Sequence, residues 1–167
     1  IPSVHKPSAR GSHATSFRYP WLYSLGCEDF CPFLFMYHIE THRWYQRLQT
    51  ESIITPRYGH SMTQVSDTEF WLFGGLTRAH EESGEMWRMR LSPLDEVQQH
   101  PQNFECTKVW DYEIASGSSA SEIPIPMYYH TAHYCPSRGK IFIVCGYSNY
   151  FDDFRDLYLN DIWAFDL

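Results

Sequence analysis

Long apolar runs and clusters of basic residues are both missing from this sequence of 167 residues. No apolar stretch approaches the roughly 20 residues that a membrane-spanning helix needs, and no charged segment followed by an apolar run marks a signal peptide at the start. Thirteen Lys and Arg residues stand against 20 Asp and Glu, which gives a formal net charge of -7. Since a phosphate-binding surface needs clustered Lys and Arg, neither a nucleic acid nor a membrane is expected as a partner.

Cysteine is scarce as well, and its number is odd. Five cysteines in a chain of this size do not indicate a disulfide framework, and the sequence contains no Asn-x-Ser/Thr sequon. Hydrophobic residues make up 43% and charged residues 20%, which suits a packed domain rather than a disordered acidic chain. These features favour an intracellular, cytoplasmic location.

Aromatic residues are abundant, at 17%, and they belong to a pattern that occurs three times. Each copy opens at a histidine, runs into an apolar tract that ends in small residues, and continues after a variable loop into a second apolar tract. The first two copies add a third tract that begins at a tryptophan. The opening histidines are His13, His60 and His130, and the first tracts are 21–23, 70–73 and 141–144. The small residues that end these tracts are Gly26-Cys27, Gly74-Gly75 and Cys145-Gly146. The second tracts are 34–39, 86–91 and 162–167, and the third tracts begin at Trp44 and Trp110.

These short tracts predict β-strands. They are bounded by Gly, Pro, Ser and Asp and show no sustained 3.6-residue period. Continuous apolar runs indicate strands covered on both faces, and paired glycines permit a positive φ or the close approach of a neighbouring backbone. Four short strands per repeat are typical of one blade of a β-propeller.

On these residues the sequence resembles the Kelch-repeat family. The middle copy matches the family pattern best, with Pro56-Arg57 and His60 at its opening, Gly74-Gly75 after its first tract, and Trp110 near its end. The resemblance implies an all-β, Kelch-type β-propeller with about three four-stranded antiparallel blades, as part of a larger ring of about six or seven. It also implies structural roles for the recurring residues, which are His13, His60, His130, Gly74, Gly75, Gly146, Trp44, Trp87, Trp110 and Trp163.

The repeats predict the organisation of the chain. Residues 1–7 form an N-terminal extension, 8–48 form blade 1, and 49–114 form blade 2, with a long loop at 92–105 between its third and fourth strands. Residues 115–167 form a linker and blade 3, which lacks its fourth strand. The remaining blades are expected from the same or another chain.

Antiparallel order places the loops between second and third strands at the same end of the blades as the linkers between blades. Binding residues concentrate on such loops. The loops at 28–33, 76–85 and 147–160 are acidic and, in part, aromatic, so we predict a non-catalytic scaffold for protein–protein interaction whose partner has a basic surface. The alternative is that these acids merely solvate long loops. The predicted contact residues are Arg57, Tyr58, Arg78, Glu81, Glu82, Tyr128, Tyr147, Asn149, Asp152, Asp153 and Asp156.

Two roles are open to Arg57, which enters the middle copy three residues before His60. It can meet a carboxylate of a ligand or hold the acidic loops in place, and the second role is favoured. No catalytic set and no cofactor is predicted, since the sequence has no nucleophile elbow and no phosphate-binding loop.

Metal binding and other functions remain as alternatives. Cys27 and Cys31 with His38 and His42 offer ligands that zinc accepts, although the gap between the pairs is short, and a disulfide between the two cysteines is a further option. The three repeated histidines offer a metal site if they converge on a central channel. An enzyme or metal-binding propeller of Kelch type, or a purely architectural partial propeller within a larger assembly, are the alternative functions.

Overall fold

A computed structural model describes most of the chain. The described residues form thirteen β-strands in several small antiparallel sheets, none of them closed. The predicted all-β class is therefore confirmed. In the same residues, no helix has both the length and the apolar character needed to cross a bilayer. The described ranges are 6–31, 33–47, 54–91, 104–112, 124–149 and 157–167.

The first sheet is a four-stranded antiparallel meander in which sequence neighbours pair. Apolar residues of its second and third strands, such as Tyr23 and Met36, are fully buried and face the next sheet. The edge strand after them carries the half-buried Trp44, whose ring packs on Tyr37 at 4.9 Å. The strands are β1 (Ala14–Arg18), β2 (Trp21–Leu25), β3 (Leu34–His38) and β4 (Arg43–Arg47).

The second sheet also has four strands, and a two-stranded ribbon stands beside it. Its fourth strand begins at Glu105, which pairs with Arg90, and so it starts earlier than the tract predicted at Trp110. A shift of register between Lys108 and Trp110 lets the strand continue to Asp111. The strands are β5 (Arg57–Tyr58), β6 (Ser61–Gln64), β7 (Glu69–Phe73), β8 (Leu76–Thr77), β9 (Glu85–Arg90) and β10 (Glu105–Asp111); β5 pairs with β8, and the others form the sheet in the order β6-β7-β9-β10.

The third sheet has three strands in the part of the chain that the structure describes: β11 (Thr131–Cys135), β12 (Lys140–Ser148) and β13 (Leu157–Asp166). The predicted loop at 147–160 is too long at both ends, because Tyr147 pairs with Tyr158 inside the ladder of β12 and β13. The reason is a register shift between Val144 and Gly146, which absorbs one residue and lets the pairing continue.

The three sheets stack through their faces, and their first strands β1, β6 and β11 are neighbours. The second sheet is buried on both sides, since Phe70 and Leu72 join the core with the first sheet while Trp71 and Phe73 join the core with the third. This burial explains why residues 70–73 form an unbroken apolar run. Of the repeated tryptophans, Trp87 lies in the first core, and Trp110 and Trp163 pack against the second.

A short backbone ladder links the sheets at the residues before the repeated histidines. Ser12, Gly59 and Tyr129 all adopt positive φ, at 52°, 66° and 55°. The Gly59 N–H donates to the Ser12 carbonyl at 2.8 Å, and the Tyr129 N–H donates to the Gly59 carbonyl at 2.7 Å. The same local conformation is therefore repeated three times, in spite of three different side chains.

Glycine makes room for each joint between sheets. Gly74 has a φ of 67°, and a Cβ on it would fall on the Met127 carbonyl oxygen and the ring of His130. Gly26 stands in the same relation to the Arg57 carbonyl and the ring of His60. Gly75, which follows Gly74, and Gly146, which follows Cys145, also have positive φ (97° and 120°). Each of them faces the histidine of its own repeat.

Candidate functional site

The loops between strands collect at one end of the three sheets, which we call the loop face. It comprises residues 10–13, 26–31, 55–60, 74–84, 126–130, 145–149 and 157–159 of the described chain. The pairs Ala14–Leu25, Ser61–Phe73 and Thr131–Val144 mark this end in the three sheets. The turns at 19–20, 65–68 and 136–139 lie at the opposite end.

An unbroken row of aromatic rings crosses the loop face. Neighbouring ring centroids are 5.8, 6.4, 5.0, 4.8 and 5.4 Å apart along the row. Its most accessible members are Tyr129, which is 56% exposed, and Tyr158, which is 80% exposed. The aromatic row consists, in spatial order, of Phe30, Tyr58, Tyr129, Tyr128, Tyr147 and Tyr158.

The backbone fixes most of this row. Tyr128 and Tyr147 exchange two hydrogen bonds, with N···O distances of 3.0 and 2.9 Å, and Tyr129 is the last member of the ladder that links the sheets. Tyr58 belongs to β5, where it pairs with Leu76. These rings therefore project from backbone that is already ordered, so binding a partner need not order the chain beneath them.

Carboxylates flank the row on two sides. The Oγ of Ser12 donates to Oε1 of Glu28 at 2.8 Å and lies 3.3 Å from the Tyr129 hydroxyl. Farther along, Glu82 accepts from the Ser148 hydroxyl at 2.8 Å and from the backbone N–H of Asn149 at 2.6 Å. Glu82 thereby ties the loop before β9 to the end of β12.

The side chain of Arg57 lies below the loop face and is only 2% exposed. Its Nη1 donates to the Gly74 carbonyl at 3.1 Å and to Oγ of Ser83 at 2.6 Å, while Nη2 donates to Oε2 of Glu85 at 2.5 Å. Of its two possible roles, the structure gives Arg57 the one that holds the loop. Arg57 is also among the predicted contact residues, but its buried guanidinium is not accessible to a partner at the surface.

Glu85, whose side chain is 21% exposed, is the centre of this network. Besides Arg57, it accepts from Nζ of Lys108 at 2.6 Å and from Nε1 of Trp87 at 3.0 Å. Burial alone would raise the pKa of Glu85, but these hydrogen bonds outweigh it and hold the pKa at about 2. The carboxylate is therefore charged at every pH near neutral.

Arg78 and Glu81 are exposed on the loop between β8 and β9. They line an open cleft of about 430 Å³, together with Lys108 and Asp111. Charges of both signs meet in this cleft, so its lining does not single out a ligand of one charge. The remaining predicted contact residues, Asp152, Asp153 and Asp156, lie outside the described residues.

The repeated histidines occupy the joints between sheets. His60 and His130 are buried, and burial lowers the pKa of His60 to about 3 and that of His130 to about 4. His13, which has no preceding sheet in the described chain, is exposed. Both buried rings are therefore neutral and lie against a glycine of the sheet before them.

The cysteine and histidine pairs of the first repeat do not meet. Cys27 and Cys31 lie before β3, whereas His38 ends that strand and His42 follows it, so the length of the strand separates the pairs. Nδ1 of His42 lies 2.9 Å from the Tyr37 hydroxyl, and the five cysteines are unpaired. Among the described residues, no three His, Cys, Asp or Glu side chains are placed to share a metal ion.

One of the buried histidines lacks a partner that the other has. Nε2 of His130 shares a hydrogen bond of 2.8 Å with Oγ of Ser61, but neither ring nitrogen of His60 has a hydrogen-bond partner among the residues that the structure describes. The residue that corresponds to Ser61 in the first repeat is Ala14, which has no hydroxyl. The sequence difference thus explains the unpaired ring.

Replacing Ser61 by alanine and Ala14 by serine is expected to change the free energy of unfolding in opposite directions. Ser61→Ala removes the partner of His130 and should lower the free energy of unfolding by about 1–2 kcal/mol, and Ala14→Ser should raise it by about 1 kcal/mol. Urea unfolding followed by far-UV circular dichroism measures both. A neutral Ser61→Ala variant would show that the bond to His130 contributes nothing.

Sequence patterns missed several residues of the loop face. The predicted contact residues include Tyr128 but not its neighbour Tyr129, and Tyr158 falls within the predicted loop at 147–160. The position of Ser12, Gly59 and Tyr129 immediately before each histidine is the signal that could have marked the row, since a repeated position in a loop places side chains side by side.

Comparison of the chain with protein-family models and with curated proteins finds no match to either. Its function must therefore be inferred from its own residues.

Proposed function

We propose that this chain is part of a Kelch-type β-propeller and that its loop face binds another protein without catalysing a reaction. The stacking of three up-and-down sheets, with first strands adjacent, supports a blade arrangement. The recurring contact between glycine and histidine at both joints supports it further, since repeats of one kind pack on each other in one way.

The backbone ladder supports additional blades. Within the described residues, the N–H of Ser12 and the carbonyl of Tyr129 have no partner, although each is the position that the ladder would use next. One end therefore offers a donor and the other an acceptor. Blades of the same chain, or of another chain, satisfy these groups in the proposed ring.

The observation that carries the binding proposal is the exposed aromatic row. Tyrosine is enriched among residues that dominate the energy of protein interfaces, and an exposed apolar patch rimmed by polar groups is typical of a binding surface. In this chain Tyr129 and Tyr158 are open to solvent while the rings between them are partly buried. Arg57 and Glu85 hold the loop beside this row from below, so the surface is organised before a partner arrives.

We predict that Tyr129→Ser together with Tyr158→Ser lowers capture of specific partners at least tenfold, since each ring is expected to act as an anchor. Serine suits position 129 because Ser12 holds the same backbone conformation in the first repeat. The measurement is quantitative affinity capture from cells that express the protein, with the wild-type chain as reference.

The matched control is Tyr19→Ser. Tyr19 is 66% exposed, but it lies at the turn between β1 and β2, at the end opposite the loop face. If the proposal is right, some proteins are captured by the wild type and by Tyr19→Ser but not by the double variant. If all three chains capture the same proteins equally, the loop face is not the binding surface. That result would favour the alternative of a purely architectural partial propeller.

A further inference from the structure

Tyr129 and Glu28 form a two-part surface that one ligand group can contact at once. The hydroxyl of Tyr129 lies 3.3 Å from Oγ of Ser12, which donates to Oε1 of Glu28 at 2.8 Å. Ser12 therefore holds a ring and a carboxylate in fixed relation, although the two belong to different sheets. The ring of Tyr58, 6.4 Å from that of Tyr129, extends the aromatic part.

The exposed carboxylate of Glu28 supplies negative charge at this point. Burial raises the pKa of Tyr58, and the nearby Tyr129 and Glu28 raise it further. Two arginines lie near this point and both are engaged within the chain: Arg57 is buried against Glu85, and Arg10 stacks on Phe35 and donates to the Gly26 carbonyl. A ligand group that approaches the row is therefore favoured if it carries a positive charge.

The chain already contains one example of the chemistry that this surface offers. Arg10 places its guanidinium carbon 4.4 Å from the centroid of the Phe35 ring, and its Nη1 donates to the carbonyl of Gly26 at 3.3 Å. A guanidinium is planar, stacks on aromatic rings and pairs with carboxylates through two parallel hydrogen bonds, whereas an ammonium group has a single charged centre. Arginine therefore fits a ring beside a carboxylate better than lysine does.

We propose that the aromatic row binds an arginine side chain from an extended segment of a partner protein, with the guanidinium stacked on Tyr129 and paired with Glu28. This inference rests on the proposed function, which assigns the loop face to a protein partner. It adds the residue type that the partner must present and the two groups that recognise it.

The test uses synthetic peptides of about eight residues that differ at two central positions. One peptide carries arginine, a second lysine, a third the neutral isostere citrulline, and a fourth glutamate, all within the same Gly-Ser background. Binding to the chain is measured by fluorescence anisotropy, and perturbation of tyrosine ring signals by NMR locates the site. The arginine peptide should bind at least tenfold more tightly than the citrulline peptide and more tightly than the lysine peptide, and added salt should weaken it.

Two variants test the assigned contacts separately. Tyr129→Ser removes the ring and Glu28→Gln removes only the charge, and each should weaken the arginine peptide about tenfold while Tyr19→Ser leaves its binding unchanged. Because Glu28→Gln keeps the size of the side chain, it tests the pairing even if Tyr129→Ser perturbs the fold. If Glu28→Gln binds the arginine peptide as tightly as the wild type does, the proposed pairing is wrong.

The outcomes separate this inference from the function on which it rests. If the citrulline or glutamate peptide binds as well as the arginine peptide and Tyr129→Ser abolishes that binding, the row is a protein-binding surface but arginine is not its ligand. If no peptide binds while partner capture still depends on Tyr129 and Tyr158, the arginine inference is again wrong and the proposed function stands. If neither peptides nor partners respond to Tyr129→Ser, both are wrong.

Discussion

Replacing Gly74 by alanine is expected to lower the free energy of unfolding by about 3 kcal/mol. Two costs combine at this position. A non-glycine residue at a φ of 67° costs about 1–2 kcal/mol, and the new Cβ would overlap the Met127 carbonyl oxygen and crowd His130, which adds about 1–3 kcal/mol of strain. Urea unfolding followed by circular dichroism measures the loss.

Gly139 provides a control in which only the first cost is present. Its φ is 60°, but nothing lies within 4 Å of the position that a Cβ would take. Gly139→Ala should therefore lower the free energy of unfolding by about 1 kcal/mol. Equal losses in the two variants would mean that the joint between the second and third sheets is not packed as closely as described.

Removing the carboxylate of Glu85 is expected to have an effect at least as large. Glu85→Ala leaves the guanidinium of Arg57 buried without its counter-ion, and breaking such a pair by removing one partner typically costs about 3–5 kcal/mol. Lys108 and Trp87 lose a hydrogen-bond acceptor in the same variant. Far-UV circular dichroism is the appropriate signal, because the fluorescence of Trp87 itself changes in the variant.

Glu69 is the matched control, since its local chemistry is nearly the same. It accepts from Nε1 of Trp71, two residues later, and from Nε of Arg90, both at 3.0 Å. The difference is that Arg90 is 55% exposed, so water can solvate it when the carboxylate is removed. Glu69→Ala should therefore cost about 1 kcal/mol or less.

The pH dependence gives an independent check on Glu85. Its pKa in the folded chain, about 2, lies below the ordinary value of 4.5, so its contribution is present in full above the ordinary value and is lost as the pH falls toward 2. The difference in stability between the wild type and Glu85→Ala should shrink over that interval. A difference that stays constant would show that charge is not what Glu85 contributes.

Strand positions could be predicted where residues that end a strand bound an apolar run. The run 70–73 is apolar throughout and is closed by two glycines, and β7 ends at Phe73 as expected. At residues 147–160 the same approach failed, because Gly146 does not end β12 but takes part in a register shift. Tyr147 and Tyr158 then pair across the ladder, although neither belongs to an apolar run.

The candidate site was harder to predict, for reasons of geometry. Arg57 and its partner Glu85 are 28 residues apart, so nothing in the local sequence says that the arginine turns inward. Tyr129 is exposed, and its backbone has a φ of 55°, which is uncommon for a tyrosine and which no local pattern indicates. The position before each histidine is common to all three repeats, but only the third places an aromatic ring there.

One residue of the third sheet interrupts the rule by which the sheets join. Cys145 has a φ of 58° and follows Val144 as Gly26 follows Leu25 and Gly74 follows Phe73. Gly26 and Gly74 lie against the histidine and a backbone carbonyl of the next sheet, whereas Cys145 carries a side chain and is exposed. A further sheet of the proposed ring that packed here in the same way would meet the Cβ of Cys145, so this joint must differ from the other two at that position.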